Sequence, residues 1–480
     1  MSSSTRTTSP VTGPILILDD LRDGRMHLAA LFIAPKGTAL PPVELDGGEA
    51  QPAPLAEYST HTVLRARFSL PAGCPTAYQW NGTRFELAGG FGGDLRIAFA
   101  SCNGEEHGDL DRDGDERNAM WARMGAEHRA APFSLLLHGG DQVYADEVTG
   151  GHPLSQDWPE RIPRDPAQEG LVSLHRHLRE RFLQRYLAAY STPEFAWIAA
   201  RVPSLMQWDD HDICDGWGSL RRSRTYSPVG QTLFAAAREA ALLFQHGCAD
   251  GDLPARFADP EGTHLGWRVE APGLRLLAPD LRSERSRRRV MARGGWRMMR
   301  AAAEQRFAGR SLILSSVPLL GPRLSLLELL MVLTPRMQKY EDDLRDQWQS
   351  RAHRASWRRM LRLTRDIAAH DGQQVTAISG EIHLATRGEM ALGGGKVLHQ
   401  LVASGIAHRA PPRAWARVLG LLSWLGDAPL AGHPIRIRKI PGQAGRYVAE
   451  RNYLILERQG ADWSASWELE TSGRSAPLPL

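Results

Sequence analysis

Cysteine is scarce in this chain of 480 residues: Cys74, Cys102, Cys214 and Cys248 stand far apart, with no C-x-x-C pair among them. That spacing argues against a zinc ribbon and against a disulfide framework. Lysine is equally rare, with only Lys36, Lys339, Lys396 and Lys439, so the net charge of +4 comes almost entirely from arginine. The one dense basic run, Arg282 to Arg293, has no interleaved aromatics; it reads as a solvated loop, and specific nucleic-acid binding is not expected. Long apolar runs are missing too. The longest, Leu324 to Leu333, is too short to span a bilayer and contains Glu328, so no membrane span is expected. Met1 to Pro10 is Ser/Thr-rich, without an apolar h-region or a twin-arginine pair, which makes a cytoplasmic location the expectation.

What remains is an ordinary globular composition, 42% hydrophobic and 23% charged, long enough for a large core. Residues 1–13 read as a disordered lead. Over residues 14–88, short alternating segments separated by Pro, Gly and Asp turns predict a small antiparallel β domain. Gly89 to Gly93 makes a linker, and from about residue 95 to 480 strands alternate with long helical stretches, so the fold class becomes α/β. Helices are expected at Glu116 to His128, Leu171 to Tyr190, Gln231 to His246, Trp296 to Phe307, Leu324 to Leu333, Gln338 to Ser350 and His353 to His370. Beyond Val397 the chain returns to strand-like segments. Among them Tyr453 to Glu457 and Trp463 to Leu469 suggest a hairpin at a sheet edge.

Four short apolar runs end in clusters of metal-binding side chains. Ile97 to Ala100 stops at Ser101-Cys102-Asn103, and Phe133 to Leu137 stops at His138-Gly139-Gly140-Asp141-Gln142-Val143-Tyr144. Val202 to Trp208 stops at Asp209-Asp210-His211-Asp212, and Val375 to Ile378 at Ser379-Gly380-Glu381-Ile382-His383. Such runs read as strands buried on both faces, and ligands gather at the carboxyl ends of strands in open α/β sheets. The pattern points to an enzyme with a metal centre at the strand tips.

Asp141 follows two glycines that permit a sharp turn, and a carboxylate there can bridge two ions. Alone, Gly-Gly-Asp would be read as a helix cap with Tyr144 packed beside it. Tyr144 would ligate as a phenolate only beside a strongly acidic cation, since a phenol titrates near pH ~10. Cys102 alone would be a small buried hydrophobe; with Asp141 on a neighbouring strand it becomes a ligand candidate. Thiolate, phenolate and carboxylate together favour iron. One aspartate of Asp209 to Asp212 can hold a second metal, while His211 can contact a phosphoryl oxygen or pass a proton to a leaving group. The bland alternative is an acidic loop neutralised by Arg221 and Arg222. Glu381 and His383, two apart at a strand end, face the same way. His408 after Ser404-Gly405 is a further neighbour of the site. The run Asp109 to Asp115 imitates an EF-hand loop, but Met120 occupies the twelfth position, so a solvated acidic turn is expected.

Taken in order, Ala100-Ser101-Cys102, His138 to Tyr144, Trp208 to Asp212, Asp280-Leu281-Arg282, Ser315 to Pro318 and Ser379 to His383 resemble the PhoD-like alkaline phosphatase family of calcineurin-like metallophosphoesterases. The resemblance covers residues 95 to 410. It implies a four-layer αββα metallophosphoesterase sandwich preceded by a small antiparallel β-sandwich domain, and a dinuclear metal centre. Iron with calcium is one family solution; zinc or manganese serve elsewhere. It implies that Cys102, Asp141 and Tyr144 bind iron, that Asp210 replaces the superfamily's asparagine ligand, and that Glu381 and His383 complete the metal set. Asp209, His211 and Arg282 take the catalytic positions. Two departures stand out: Glu381 where the family usually has aspartate, and no export signal where members often have one.

The expected reaction is phosphoric ester hydrolysis, with a metal-bound hydroxide attacking phosphorus in line and His211 and Arg282 stabilising the equatorial oxygens. The substrate is a phosphate ester, monoester or diester. A phosphodiesterase or nuclease on the same centre is one alternative. A catalytically weak binding protein that retains the fold, for which Glu381 is the warrant, is the other.

Overall fold

The computed structural model describes residues 11–322 and 346–480. The expected helices Leu324 to Leu333 and most of Gln338 to Ser350, and residues 1–10 of the expected lead, lie outside the described residues.

Two large mixed sheets organise the chain. The first is built around strand Leu95–Ala100, which pairs parallel with Leu135–His138 and antiparallel with Asn452–Gln459. Leu135–His138 pairs parallel with Ser204–Met206, which pairs parallel with Thr12–Arg22. Thr12–Arg22 then continues the sheet through Arg25–Pro35 and His61–Pro71 to Ala53–Glu57. The four N-terminal strands Thr12–Arg22, Arg25–Pro35, His61–Pro71 and Ala53–Glu57 therefore extend this sheet. A four-stranded sheet from residues 43–87 packs beside them, where Phe32 meets Trp80 at 4.8 Å and Phe68 meets Tyr78 at 5.6 Å. The C-terminal hairpin Asn452–Gln459/Asp462–Leu469 lies at the edge of this sheet, as expected, docked on Leu95–Ala100 with only two-residue strands beyond it.

The second sheet runs Trp267–Ala271, Leu274–Ala278, Gly309–Leu314, Gln373–Ser379, Lys396–Val402, Ala385–Gly393, His433–Arg438 and Asp427–Leu430. Its central strands alternate between two cores, as a period of two dictates. Leu276, Leu312, Leu314 and Ile378 join the core shared with Ile97, Phe99 and Leu136 of the first sheet. Leu277, Ile313 and Ala377 point the other way, onto Trp296, Met299, Trp357 and Met360 of helices Arg293–Glu304 and Arg354–Ala369. Both faces are apolar, so the sequence reads as continuous runs. Helices Gly114–Ala130, Gln168–Tyr190 and Pro228–Ala240 bury Trp121, Phe182 and Leu233 in the core shared with the first sheet. Helix Pro228–Ala240 begins at Pro228, with Gly230 N–H bound by the Ser227 hydroxyl, and loosens into a π turn over Ala241–Gln245 instead of continuing to His246.

Candidate metal centre

The sheets bring the four loaded strand ends together. Gly139 and Gly140 are required where they stand: a Cβ on Gly139 would lie 2.3 Å from Phe99 Cζ, and Gly140 has a φ of 113°. The turn they make lays backbone against backbone, with Cys102 N–H bound by Gly140 O at 3.1 Å and Asn103 N–H by Asp141 O at 2.8 Å. Cys102, Asp141, Glu381 and His383 all sit at φ of 54–67°. Left-handed backbone at non-glycine residues costs about 1–3 kcal/mol each and is held only where surroundings dictate it.

Asp141 lies at the centre. Its ligand oxygen falls in one group with Cys102 and His383, and in another with Asp209 and Asp210; within each group the atoms lie within 4.8 Å of one another. Asp210, His211 and Asp215 form a third. Cys102 Sγ is 3.4 Å from Asp141 Oδ2 and 3.2 Å from Ser404 Oγ. The Tyr144 hydroxyl is 3.1 Å from His383 Nε2, and its ring stacks on His211 at 4.4 Å. His408 stacks on His383 at 3.4 Å, which brings it to the rim.

The electrostatics of this cluster call for cations. Asp141 Oδ1 is buried without a hydrogen-bond partner. Burial, reinforced by Asp209, Asp210 and Asp212 against the pull of His211, drives the Asp141 carboxyl well above the usual range. Burial likewise pushes Asp209 up to about 6 and Asp212 to about 7, and holds the Cys102 thiol and the Tyr144 phenol protonated. An orphaned carboxylate oxygen beside a thiol, a phenol, imidazoles and further carboxylates is the donor set a pair of cations would satisfy.

Other expected residues play different parts. The Arg282–Arg293 run is not a solvated loop at its start, since Arg282 and Arg285 are buried. The Arg282 guanidinium is bonded to Asp209 and paired with Asp346, and lies 3.2 Å from Asp210 Oδ1. It neutralises and fixes these carboxylates. Glu381 belongs to none of the three ligand groups; its longer arm accepts from Gln347 Nε2 at 2.6 Å. The Asp109–Asp115 turn is not fully solvated either: Asp109 is buried against Arg117 and Arg112, and Asp113 caps helix Gly114–Ala130.

Sequence reasoning missed three residues. Asp146 Oδ2 lies 3.0 Å from His211 Nδ1, which leaves Nε2 as the nitrogen able to reach a ligand. Burial opposes a charge on His211, yet Asp146, Asp210 and Asp141 together raise its pKa well above the ordinary value. Asp212 is a tie: it accepts from the N–H groups of Asp141, Asp209 and Val143 and from Gln245 Nε2. Ser404 receives the His383 N–H at 2.8 Å. The third aspartate of Asp209-Asp210-His211-Asp212 was visible, but its inward role was not; Asp146 carried no signal beyond proximity to Tyr144.

An uncharacterized protein of Saccharomyces cerevisiae is 25% identical over 334 residues, 57% of this chain; the chain spans about half, 47%, of that relative's length. The solved structure of PhoD superposes with a TM-score of 0.61 at 12% identity, covering 100% of this chain and 90% of that one, a likeness of fold. Residues 105–340 match the model of the PhoD-related phosphatase family. Motifs, family model and fold thus converge: this chain resembles the PhoD-related phosphatases across its residues 105–340.

Proposed function

We propose that the chain hydrolyses phosphoric esters at a dinuclear metal centre. The catalytic unit would be residues 95–480 in a four-layer αββα arrangement, extended by the strands of residues 14–88. The alternation of strand residues between two cores supports that layering. The observation that carries the functional reading is Asp141: one carboxylate shared by two ligand groups, with a buried oxygen left unpartnered.

Cys102, Tyr144 and His383 would hold one cation, Asp209 and Asp210 the other, with Asp141 common to both. Iron suits the thiolate–phenolate side, and calcium, zinc or manganese the carboxylate side. When bound, the ions supply charge neutralisation and Lewis acidity to an anionic ester. His211, held by Asp146 and charged, donates from Nε2 to a phosphoryl oxygen or to the leaving group. Arg282 pairs with Asp209 and Asp210 and holds both carboxylates aimed. Asp212 and Ser404 hold the strand ends in register, so the donors meet without reorganisation.

The test is hydrolysis of p-nitrophenyl phosphate and of bis-p-nitrophenyl phosphate by purified protein, with and without a chelator. Turnover of either that disappears with the chelator and in Asp141→Ala supports the reading, and the ratio of the two separates monoester from diester preference. Folded, metal-replete protein that turns over neither ester overturns it.

A further inference from the structure

Helix Arg413–Leu422 and the turn Ser423–Leu425 after it are apolar on two sides. Inward, Ala416 and Leu419 are buried in the outer core of the second sheet, with Trp415 packed against it. Outward, Val418, Leu421 and Trp424 are 43%, 71% and 75% exposed; among the described residues, Leu421 and Trp424 are the most exposed large hydrophobic side chains. A helix with apolar residues on both sides is ordinarily buried, and an exposed apolar cluster marks an interaction surface. At about 100° per residue, Arg413 and Arg417 fall on the same outward arc as Leu421. From Pro411 to Gly426 the sequence carries Arg413 and Arg417 and no Asp or Glu, and the Arg446 guanidinium lies over the Trp424 ring at 4.6 Å.

We propose that this helix docks the protein onto an anionic lipid surface without crossing it. The charge pattern selects this partner. Guanidinium groups beside a Leu and Trp centre match headgroup phosphates above an acyl boundary, the arrangement of an interfacial helix. Tryptophan favours that depth. His408, stacked on His383, precedes Arg413 by five residues, so at most about 18 Å of chain separates it from the first arginine of the docking helix. Docking therefore brings lipid phosphate esters to the rim of the site; that consequence, unlike the docking itself, rests on the proposed hydrolase function.

The experiment is flotation of the full chain with phosphatidylcholine vesicles and with vesicles of phosphatidylcholine mixed with phosphatidylserine. Flotation is expected with the anionic vesicles, and high salt, which shortens the screening length, releases the protein. The pair Leu421→Ser and Trp424→Ser lowers binding by about tenfold or more. Arg413→Gln with Arg417→Gln weakens only the phosphatidylserine-dependent part. An unchanged near-UV circular dichroism spectrum and wild-type hydrolysis of a soluble nitrophenyl ester show that the variants fold. Failure to float with either vesicle overturns docking, as does flotation of the double variant like wild type. A wild-type dimer in sedimentation velocity that becomes monomeric in Leu421→Ser/Trp424→Ser assigns the face to a second copy and overturns it too. Ester hydrolysis retained without flotation removes the docking alone.

Discussion

Asp146 and His211 show how much of this site depends on single contacts. The imidazole is buried, and burial alone would keep it neutral; the carboxylates of Asp146, Asp210 and Asp141 reverse that. His211→Ala is expected to lower kcat by about 10²–10⁴-fold, the usual worth of a positioned proton donor. Asp146→Asn removes a charge that favours the imidazolium, so the His211 pKa falls and the alkaline limb of the pH–rate profile moves to lower pH. An unmoved limb would show that Asp146 does not set the charge on His211. The residue scale was also the most legible in sequence, because the chain concentrates thiol, phenol, carboxylates and imidazoles at strand ends. Partners were not legible. Arg282 and Asp209 are 73 residues apart, and nothing local tells that the arginine is paired with these carboxylates.

The strand ends themselves are the elements that aim the donors. Gly380 passes so close to strand Leu95–Ala100 that a Cβ there would lie 2.2 Å from Ser101 Oγ. Gly380→Ala must push the second sheet's strand end away from the first. The expected cost is about 1–3 kcal/mol of stability, read by urea denaturation, with a larger loss of kcat because His383 moves from Tyr144. Stability and activity both at wild-type level would mean that the two ends are not in contact. Elements of this kind were readable where one apolar run met one polar cluster, as in Leu95–Ala100 and Gln373–Ser379. The hairpin Ala385–Gly393/Lys396–Val402 was not recognised in full. It begins directly after the candidate ligand segment, and its pairing parallel to Gln373–Ser379 is a long-range choice. The extension of the first sheet by residues 12–71 was equally hidden, since Ile17 reaches Ser204 only through tertiary packing.

For the molecule as a whole, buried imidazoles set an acid limit. Burial lowers His138 to about 4, and burial with Arg201, Arg96 and Arg129 lowers His128 to about 4, against an ordinary 6.5. Both are neutral in the fold, so between pH 6.5 and about 4 the unfolded chain binds more protons at these two sites and their contribution to stability falls as pH falls. Each contributes up to roughly 3 kcal/mol across that window. His128→Gln/His138→Gln should therefore lose less of its urea midpoint between pH 6.5 and 4.5 than the wild type does, and an identical pH dependence in the two proteins would deny that these histidines are buried unprotonated. The same packed interior joins two sheets whose facing ends bring the candidate metal donors together, and the proposed function depends on that convergence. Its most direct test is elemental analysis of purified, folded protein alongside nitrophenyl ester hydrolysis. The account predicts about two metal ions per chain, iron among them, with one or both lost together with turnover in Asp141→Ala. Protein that is folded, metal-free and still active would contradict it.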